Sequence, residues 1–336
     1  MNSTWIIMTA ILAFGITSIS GIWLVPFLRK LKYGQTILDI GPKWHKAKQG
    51  TPTMGGIMFI LGITIAIVIG WFLAKSQSAF AAAPNDVMTV KVFAGLIMAL
   101  SYGFIGFIDD YIKVVKKRNL GLTAKQKLFL QIAVAVAYLS VLYIAGDRST
   151  RVAIPFLGQL DIGFFYYPFA LFIIVSVVNA VNLTDGLDGL CSTVTFVVAA
   201  TFSVICAMLS LWEISLMSVA LAAGCIGFLV WNFYPAKVFM GDTGSLFLGG
   251  LVCALGFGSG LPVFIALIGI IYVMEAGSVV IQVLYFKATG GKRLFKMSPI
   301  HHHFEMCGKS EVQIAFAFAI ISLIFGALSV FASTML

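Results

Sequence analysis

The hydrophobic positions of this chain fall in long blocks. Ten apolar runs, at about 5–28, 54–74, 90–108, 127–145, 164–180, 190–210, 213–231, 243–258, 260–286 and 312–334, approach the ~20 residues that a helix needs to cross a bilayer. The eighth run is short and glycine-rich (Gly249, Gly250, Gly256, Gly258). The ninth is long, which predicts a tilted or broken helix. The gaps at 210–213 and 258–262 predict tight turns. The loop 151–165 alternates weakly around Pro155 and Gly158-Gln159, the signature of a small hairpin lying on the membrane. The pattern predicts an all-α integral membrane protein of about ten transmembrane helices, forming a single polytopic domain over 1–336.

Composition agrees. Of 336 residues, 60% are hydrophobic and 10% charged, against about 25% charged in soluble domains. The first run has no basic residue before it and no small-residue cleavage site, so it predicts a retained span. Cys191, Cys206, Cys225 and Cys253 lie in or beside apolar runs and Cys307 lies in a basic loop. Their spacing suggests neither a disulfide framework nor a zinc site.

The net charge is +9, and its placement sets orientation. The loops 29–53, 109–127, 232–242 and 287–311 hold all but four of the 22 basic residues. The exceptions are Lys75, Lys91, Arg148 and Arg151. With ten spans the basic loops share one side, which is therefore cytoplasmic, and both termini lie outside.

One stretch interrupts the apolar pattern most sharply: Asn179-Ala-Val-Asn182-Leu-Thr-Asp185-Gly186-Leu-Asp188-Gly189-Leu190. Charged groups are costly inside a bilayer, so they lie at interfaces or serve a function. Asn179, Asn182, Asp185 and Asp188 recur every third residue, which on a tight helix end gives one polar edge. A polar loop between two spans is the plainer alternative.

Two further acidic groups, Asp109-Asp110 and Asp242, also fall at cytoplasmic ends of spans. All four histidines (His45, His301, His302, His303) lie on that side too. Because Lys and Arg alone fixed the orientation, this convergence is independent support for a cytoplasmic active site. Carboxylates, imidazoles and lysines on one face suit a polyanionic ligand with a divalent cation. Mg²⁺ takes hard oxygen ligands, typically one or two carboxylates plus substrate phosphates.

Each group also has a plainer role. Asp109 and Asp110 could be interfacial charges, pointing about 100° apart on a helix. Asp242 could N-cap the following span, or mark an anion site at a helix start. Gly50-Thr-Pro-Thr53-Met-Gly-Gly56 resembles a phosphate cradle only loosely. His301 and His303 share a face if the segment is extended, which favours phosphate binding or proton transfer over zinc. Glu275 lies inside the ninth span, with Gln282 two turns on.

Together these motifs resemble the polyprenyl-phosphate N-acetylhexosamine-1-phosphate transferase superfamily. They are Phe107-Ile-Asp109-Asp110-Tyr111, the 179–190 stretch, Val238-Phe239-Met-Gly241-Asp242-Thr-Gly-Ser245 and Ser298-Pro-Ile-His301-His302-His303-Phe-Glu305. With Thr51-Pro-Thr53-Met-Gly-Gly56, they are similar to its phospho-N-acetylmuramoyl-pentapeptide transferase branch. The resemblance covers essentially the whole chain, with no departure at a motif position.

It implies transfer of phospho-N-acetylmuramoyl-pentapeptide from its UDP derivative to undecaprenyl phosphate, giving lipid I and UMP. It further implies Mg²⁺, the bacterial inner membrane, a homodimer and no nucleic-acid partner. Carried across residue by residue, Asp242 matches the metal ligand, and Asp109 and Asp110 the essential pair. Lys125, Asn182, Asp185, Asp188 and His301 match polar active-site positions. Lys48, Thr53, Gly186, Asn232 and Phe239 match nucleotide-side positions. Asn179, Ser245, Gln282, His302 and His303 are further substrate-binding candidates. A sister enzyme transferring GlcNAc-1-phosphate is the nearer alternative. A secondary transporter is the remote one, since it would place polar groups at mid-membrane in paired broken helices.

Overall fold

The computed structural model describes residues 4–31, 48–77, 87–115 and 121–336. Among these, ten helices are long and apolar enough to cross a membrane. They are α1 (Thr4–Lys30), α2 (Gly56–Ser76), α3 (Val87–Val115), α4 (Ala124–Ile144), α5 (Tyr166–Thr184), α6 (Leu190–Met208), α7 (Trp212–Asn232), α8 (Gly241–Gly258), α10 (Ile270–Ala288) and α12 (Glu311–Ser333). Two short α-helices, α9 (Phe264–Ile268) and α11 (Ile300–Glu305), and a 3₁₀ turn at Gly163–Phe165 complete the helical set among the described residues. His45 lies outside the described residues.

The two tight turns form, with Ser210 at φ 58 and Gly260 at φ 74. The long ninth run is broken rather than tilted as one rod. Its first part is α9, and Gly269, at φ −96 and ψ 38, separates it from α10. The hairpin also forms: β1 (Arg151–Ile154) pairs antiparallel with β2 (Gly158–Asp161), with Ile154 opposite Gly158.

Helix α8 is the axis of the bundle. Every residue from Thr243 to Gly258 is buried. Its glycines make this possible: a Cβ at Gly249 would lie 2.7 Å from Val178 Cα on α5, and one at Gly250 2.7 Å from Ala99 Cα on α3. Small residues substitute for bulk at helix contacts in lipid, where packing rather than water exclusion drives association. The glycine-rich eighth run is thus the span that α3 and α5 close upon. Phe59 of α2 completes the packing, 5.0 Å from the Phe228 ring and 6.1 Å from Phe247.

Helix lengths place the chemistry. Helix α3 continues seven residues past the end of its apolar run, so Asp109, Asp110 and Lys113 are all helical. Helix α4 starts at a capping box, in which Thr123 and Gln126 satisfy each other's backbone amides. That start brings Lys127 to the same end of the bundle.

Candidate active site

Three carboxylates converge where α3 meets the N-terminus of α8. Asp109, Asp110 and Asp242 offer oxygens that all lie within 4.8 Å of one another. Asp109 and Asp110 are both buried, although they are neighbours on one helix. They reach the site by different routes. Asp110 Oδ2 accepts from the Thr243 amide (2.9 Å) and hydroxyl (2.7 Å), and its Oδ1 accepts from the Asp242 amide (3.3 Å). Asp109 Oδ1 accepts from the Leu122 amide (2.8 Å), and its Oδ2 meets Lys113 Nζ (2.6 Å).

Asp242 is not the N-cap of α8. Met240 holds that position without a side-chain bond, and Asp242 lies in the first turn. Its carboxylate is therefore free to face the cluster. Oδ2 meets Lys127 Nζ (2.8 Å) and Lys113 Nζ (3.2 Å), and Oδ1 accepts from Asn182 Nδ2 (3.0 Å). Asn182 also donates to Ser245 Oγ (2.7 Å), one turn along α8.

The positions 179–188 do not form one polar edge. Asn179 and Asn182 are on α5, but they face different partners. Asn179 exchanges bonds with Gln131 of α4 at 2.8 and 3.3 Å, one turn from Lys127. Beyond Thr184 the helix ends, and Asp188 faces elsewhere. Its carboxylate takes Lys48 Nζ (2.6 Å) and the Ala236 amide (2.8 Å). Lys48 also meets Glu311 of α12 (2.6 Å), which accepts the Asp188 amide (2.9 Å). Asn232 braces this corner by accepting from the Gly189 amide (3.1 Å) and donating to the Val238 carbonyl (2.9 Å).

Thr53 and Phe239 lie between the two groups. The Phe239 amide donates to the Pro52 carbonyl (2.8 Å), and the Gly55 amide donates back to the Phe239 carbonyl (2.8 Å). A Cβ at Gly241 would lie 2.7 Å from Thr53 Oγ1, so Thr53 sits at the α8 start. Asp185 closes the α5–α6 turn outside the spans. Desolvation, then the carboxylates of Asp242, Asp110 and Asp188, push its carboxyl up to about 8.

The histidine segment is helical, not extended, so His301 and His303 do not share a face. His301 points inward, with Nδ1 3.0 Å from Glu275 Oε2. His302 pairs with Glu305 (2.7 Å), and His303 Nδ1 accepts from the Lys296 amide (3.2 Å). Gln282 holds the loop after α10. Its Oε1 accepts from the Leu294 (3.1 Å) and Phe295 (2.9 Å) amides, and its Nε2 donates to the Phe295 carbonyl (3.2 Å). Lys125 is exposed in the first turn of α4, about 200° around the helix from Lys127. The lysines on Asp242 are Lys113 and Lys127.

In the sequence Lys113 and Lys127 stand only as orientation charges, and Gln131, Thr243 and Glu311 do not stand out. Lys113 carried a signal, four residues after Asp109 on a continuing helix. Glu311 carried none, because its partners are distant in sequence.

The site fits a hard divalent cation. All three donors are carboxylates, and two ammonium groups offset part of their charge. Asp109, Asp110 and Asp242 would hold the ion.

Comparison with known proteins bears on what this site serves. Residues 92–260 match the family model described as glycosyl transferase family 4. Residues 48–60 match signature 1 of the phospho-N-acetylmuramoyl-pentapeptide-transferases. The chain is 45% identical over 331 residues to the protein of that name from Listeria monocytogenes serotype 4b (strain CLIP80459), covering 98% of each chain. It is 43% identical over 327 residues to that of Halalkalibacterium halodurans, covering 97% of each. With that of Clostridioides difficile (strain 630) it shares 45% over 326 residues, 96% of each.

The chain belongs to the phospho-N-acetylmuramoyl-pentapeptide-transferase family. The family signature spans Lys48 and Thr53, the residues tied to Asp188 and to the α8 start. The broader family model runs from α3 to α8 and contains all three carboxylates. It stops short of Glu275, His301 and Glu311, so the stretch after residue 260 carries polar groups of its own.

Proposed function

We propose that this chain transfers phospho-N-acetylmuramoyl-pentapeptide from its UDP derivative to undecaprenyl phosphate, releasing UMP and forming lipid I. The setting is the cytoplasmic face of a bacterial inner membrane, with both termini outside and the chain working as a homodimer. The observation that carries the reading is the Asp109–Asp110–Asp242 cluster with two lysines at one end of a ten-span bundle, in a chain whose relatives bear that enzyme's name. One substrate is a lipid and the other a soluble nucleotide, so their phosphates must meet at a membrane surface.

In the reaction an oxygen of the lipid phosphate attacks the β-phosphorus of the nucleotide. The new P–O bond forms as the bond to the α-phosphate oxygen breaks, and UMP leaves. Such a transfer needs positioning and charge neutralisation more than covalent help. Lys113 and Lys127 supply positive charge beside Asp242. Asn182, held by Ser245, fixes the Asp242 carboxylate. The Lys48–Asp188–Glu311 corner offers charged and amide groups for the nucleoside end. The second pKa of a phosphate monoester is near 6, so the attacking oxygen is largely deprotonated at neutral pH and a strong base is not needed. Mg²⁺, when bound by the three aspartates, offsets charge on the pyrophosphate oxygens and on the leaving UMP.

The test is UMP release by purified protein given undecaprenyl phosphate and UDP-N-acetylmuramoyl-pentapeptide, against UDP-GlcNAc, with and without Mg²⁺. Release with the first nucleotide and Mg²⁺ supports the reading. Release with UDP-GlcNAc alone would instead identify the sister activity.

A further inference from the structure

Helices α4 and α5 bring Lys127, Gln131, Asn179 and Asn182 to the acidic end of the bundle. Their opposite ends, beside the hairpin, serve nothing in the reaction derived above. A groove of about 470 Å³ lies there, walled by Val136, Leu139, Ser140 and Tyr143 of α4 and by Tyr167 and Leu171 of α5. That volume is in the range of small-molecule sites. From Val136 to Tyr143 the wall rises about 10 Å along α4. It is chiefly apolar, as a chain of methylenes would require.

The mouth of the groove is different. Tyrosines gather where a membrane meets water. Here the Tyr143 and Tyr167 rings meet edge to face, 6.0 Å between centroids, and the Phe164 ring lies 6.2 Å from Tyr167. Arg148 is stacked on this cluster. Its guanidinium lies 4.8 Å over the Tyr143 ring, and its Nε donates to the Tyr143 carbonyl (3.4 Å). The acids nearby are engaged elsewhere. Asp147 pairs with Lys91 (2.9 Å), and Asp161 takes the Thr150 hydroxyl (2.6 Å) and the Gly163 amide (3.0 Å). Among the described residues Arg148 therefore has no carboxylate partner, although a ring and a carbonyl fix its position. A planar guanidinium held in this way complements a phosphate.

Ser140 adds a second polar feature. It is exposed on the groove wall, about one turn below Tyr143. The hydroxyls of Ser101 and Ser218 bond back to the helix carbonyl four residues earlier. That of Ser140 makes no such bond, and a hydroxyl left bare in hydrocarbon is costly.

We infer that this groove binds an anionic phospholipid from the leaflet on the hairpin side. One acyl chain lies between α4 and α5, the phosphate rests on Arg148, and the Ser140 hydroxyl donates to an ester carbonyl of the lipid. Charge complementarity selects the occupant. Neutral and anionic lipids carry the same chains, so the apolar wall gives no preference between them, and the unpaired guanidinium does.

The experiment measures lipid binding to the purified full-length protein in a neutral detergent, by native mass spectrometry, with dioleoylphosphatidylglycerol against dioleoylphosphatidylcholine. The parent should retain the glycerol lipid the more tightly. It should also gain thermal midpoint from that lipid, since a ligand of the folded chain stabilises it by mass action. Arg148→Gln should weaken phosphatidylglycerol about fivefold, the contribution of one basic side chain at an anionic surface, and leave phosphatidylcholine unchanged. Arg148→Lys should restore part of the loss. Arg151→Gln removes an exposed charge on the same side that faces Asp161 across the hairpin, and should change neither lipid. Ser140→Phe fills the groove from an exposed position and should lower retention of both lipids with Arg148 intact.

Equal retention of the two lipids by the parent would overturn the inference. So would equal losses in Arg148→Gln and Arg151→Gln, which would mean a diffuse positive field. A Ser140→Phe chain that kept the parent's phosphatidylglycerol but changed from dimer to monomer would make this face a contact between copies and would overturn the lipid site as well.

Discussion

Asp110 on α3 caps α8 across the helix interface, its carboxylate accepting both the amide and the hydroxyl of Thr243 at 2.9 and 2.7 Å. The α8 start has no side-chain cap of its own. An acid borrowed from another helix therefore satisfies its first amides and complements its dipole. The consequence is that Asp110 has a structural task as well as a place in the acidic cluster. Asp110→Ala should cost about 1–2 kcal/mol of stability, as loss of a cap does, and should lower the thermal midpoint in detergent. Thr243→Val should cost less, because the Thr243 amide still bonds to Asp110. An Asp110→Ala variant as heat-stable as the parent would remove the capping role.

Orientation is open to a direct check. Cys307 is exposed at the end of the histidine segment, and the other four cysteines are buried. If the basic loops are cytoplasmic, a membrane-impermeant maleimide should label native Cys307 in inside-out vesicles and not in right-side-out cells. Leu157→Cys, at the exposed hairpin tip, should give the opposite result in a Cys307→Ser background. Reversal of the two patterns would place the acidic cluster on the outside.

Span number and the hairpin were legible in the sequence, because lipid burial demands apolar length; the length of the ninth run left tilt and break open, and Gly269 decides for a break. The three acidic groups were legible for a related reason: carboxylates stand out in apolar surroundings. Which lysine serves them was not. Lys125 and Lys127 are alike as letters, and only the start of α4 at Thr123 decides that Lys127 faces Asp242. The bonds from Glu275 to His301 and from Lys48 to Glu311 depend on how α10, α11 and α12 fold back. Local pattern carries no information about that.

Asp185 supplies a prediction with a definite sign. Its carboxyl is pushed up to about 8, against about 3.9 in an unfolded chain. Between those values the native state holds a proton that the unfolded state has released. The contribution of this group to stability is therefore full at low pH and is lost as pH rises from about 4 to 8. Asp185→Asn removes that loss. Its thermal midpoint relative to the parent should rise as the pH is raised through that window. A difference that stays constant across the window would mean that Asp185 titrates as an ordinary acid.

The acidic cluster also predicts how cation affinity responds to its own lysines. Lys113 Nζ lies 2.6 Å from Asp109, 3.2 Å from Asp242 and 3.9 Å from Asp110. One ammonium thus touches all three carboxylates that would hold a divalent ion. Lys127 touches Asp242 alone among them. Lys113 and the ion draw on the same oxygens, so Lys113→Met should bind Mn²⁺ several-fold more tightly, measured by electron paramagnetic resonance. Lys127→Met should gain less. Asp242→Asn should act in the other direction: it keeps an oxygen but removes the charge that both lysines share. It should lose most UMP release, with any remainder needing much more Mg²⁺. Asp109→Asn should lower turnover with a smaller change in Mg²⁺ requirement, because its carboxylate is also committed to the Leu122 amide. Near-normal turnover and an unchanged Mg²⁺ midpoint in Asp242→Asn would remove Asp242 from the metal site, and Mn²⁺ affinity that fell in Lys113→Met would show that the lysine supports the ion rather than competing with it.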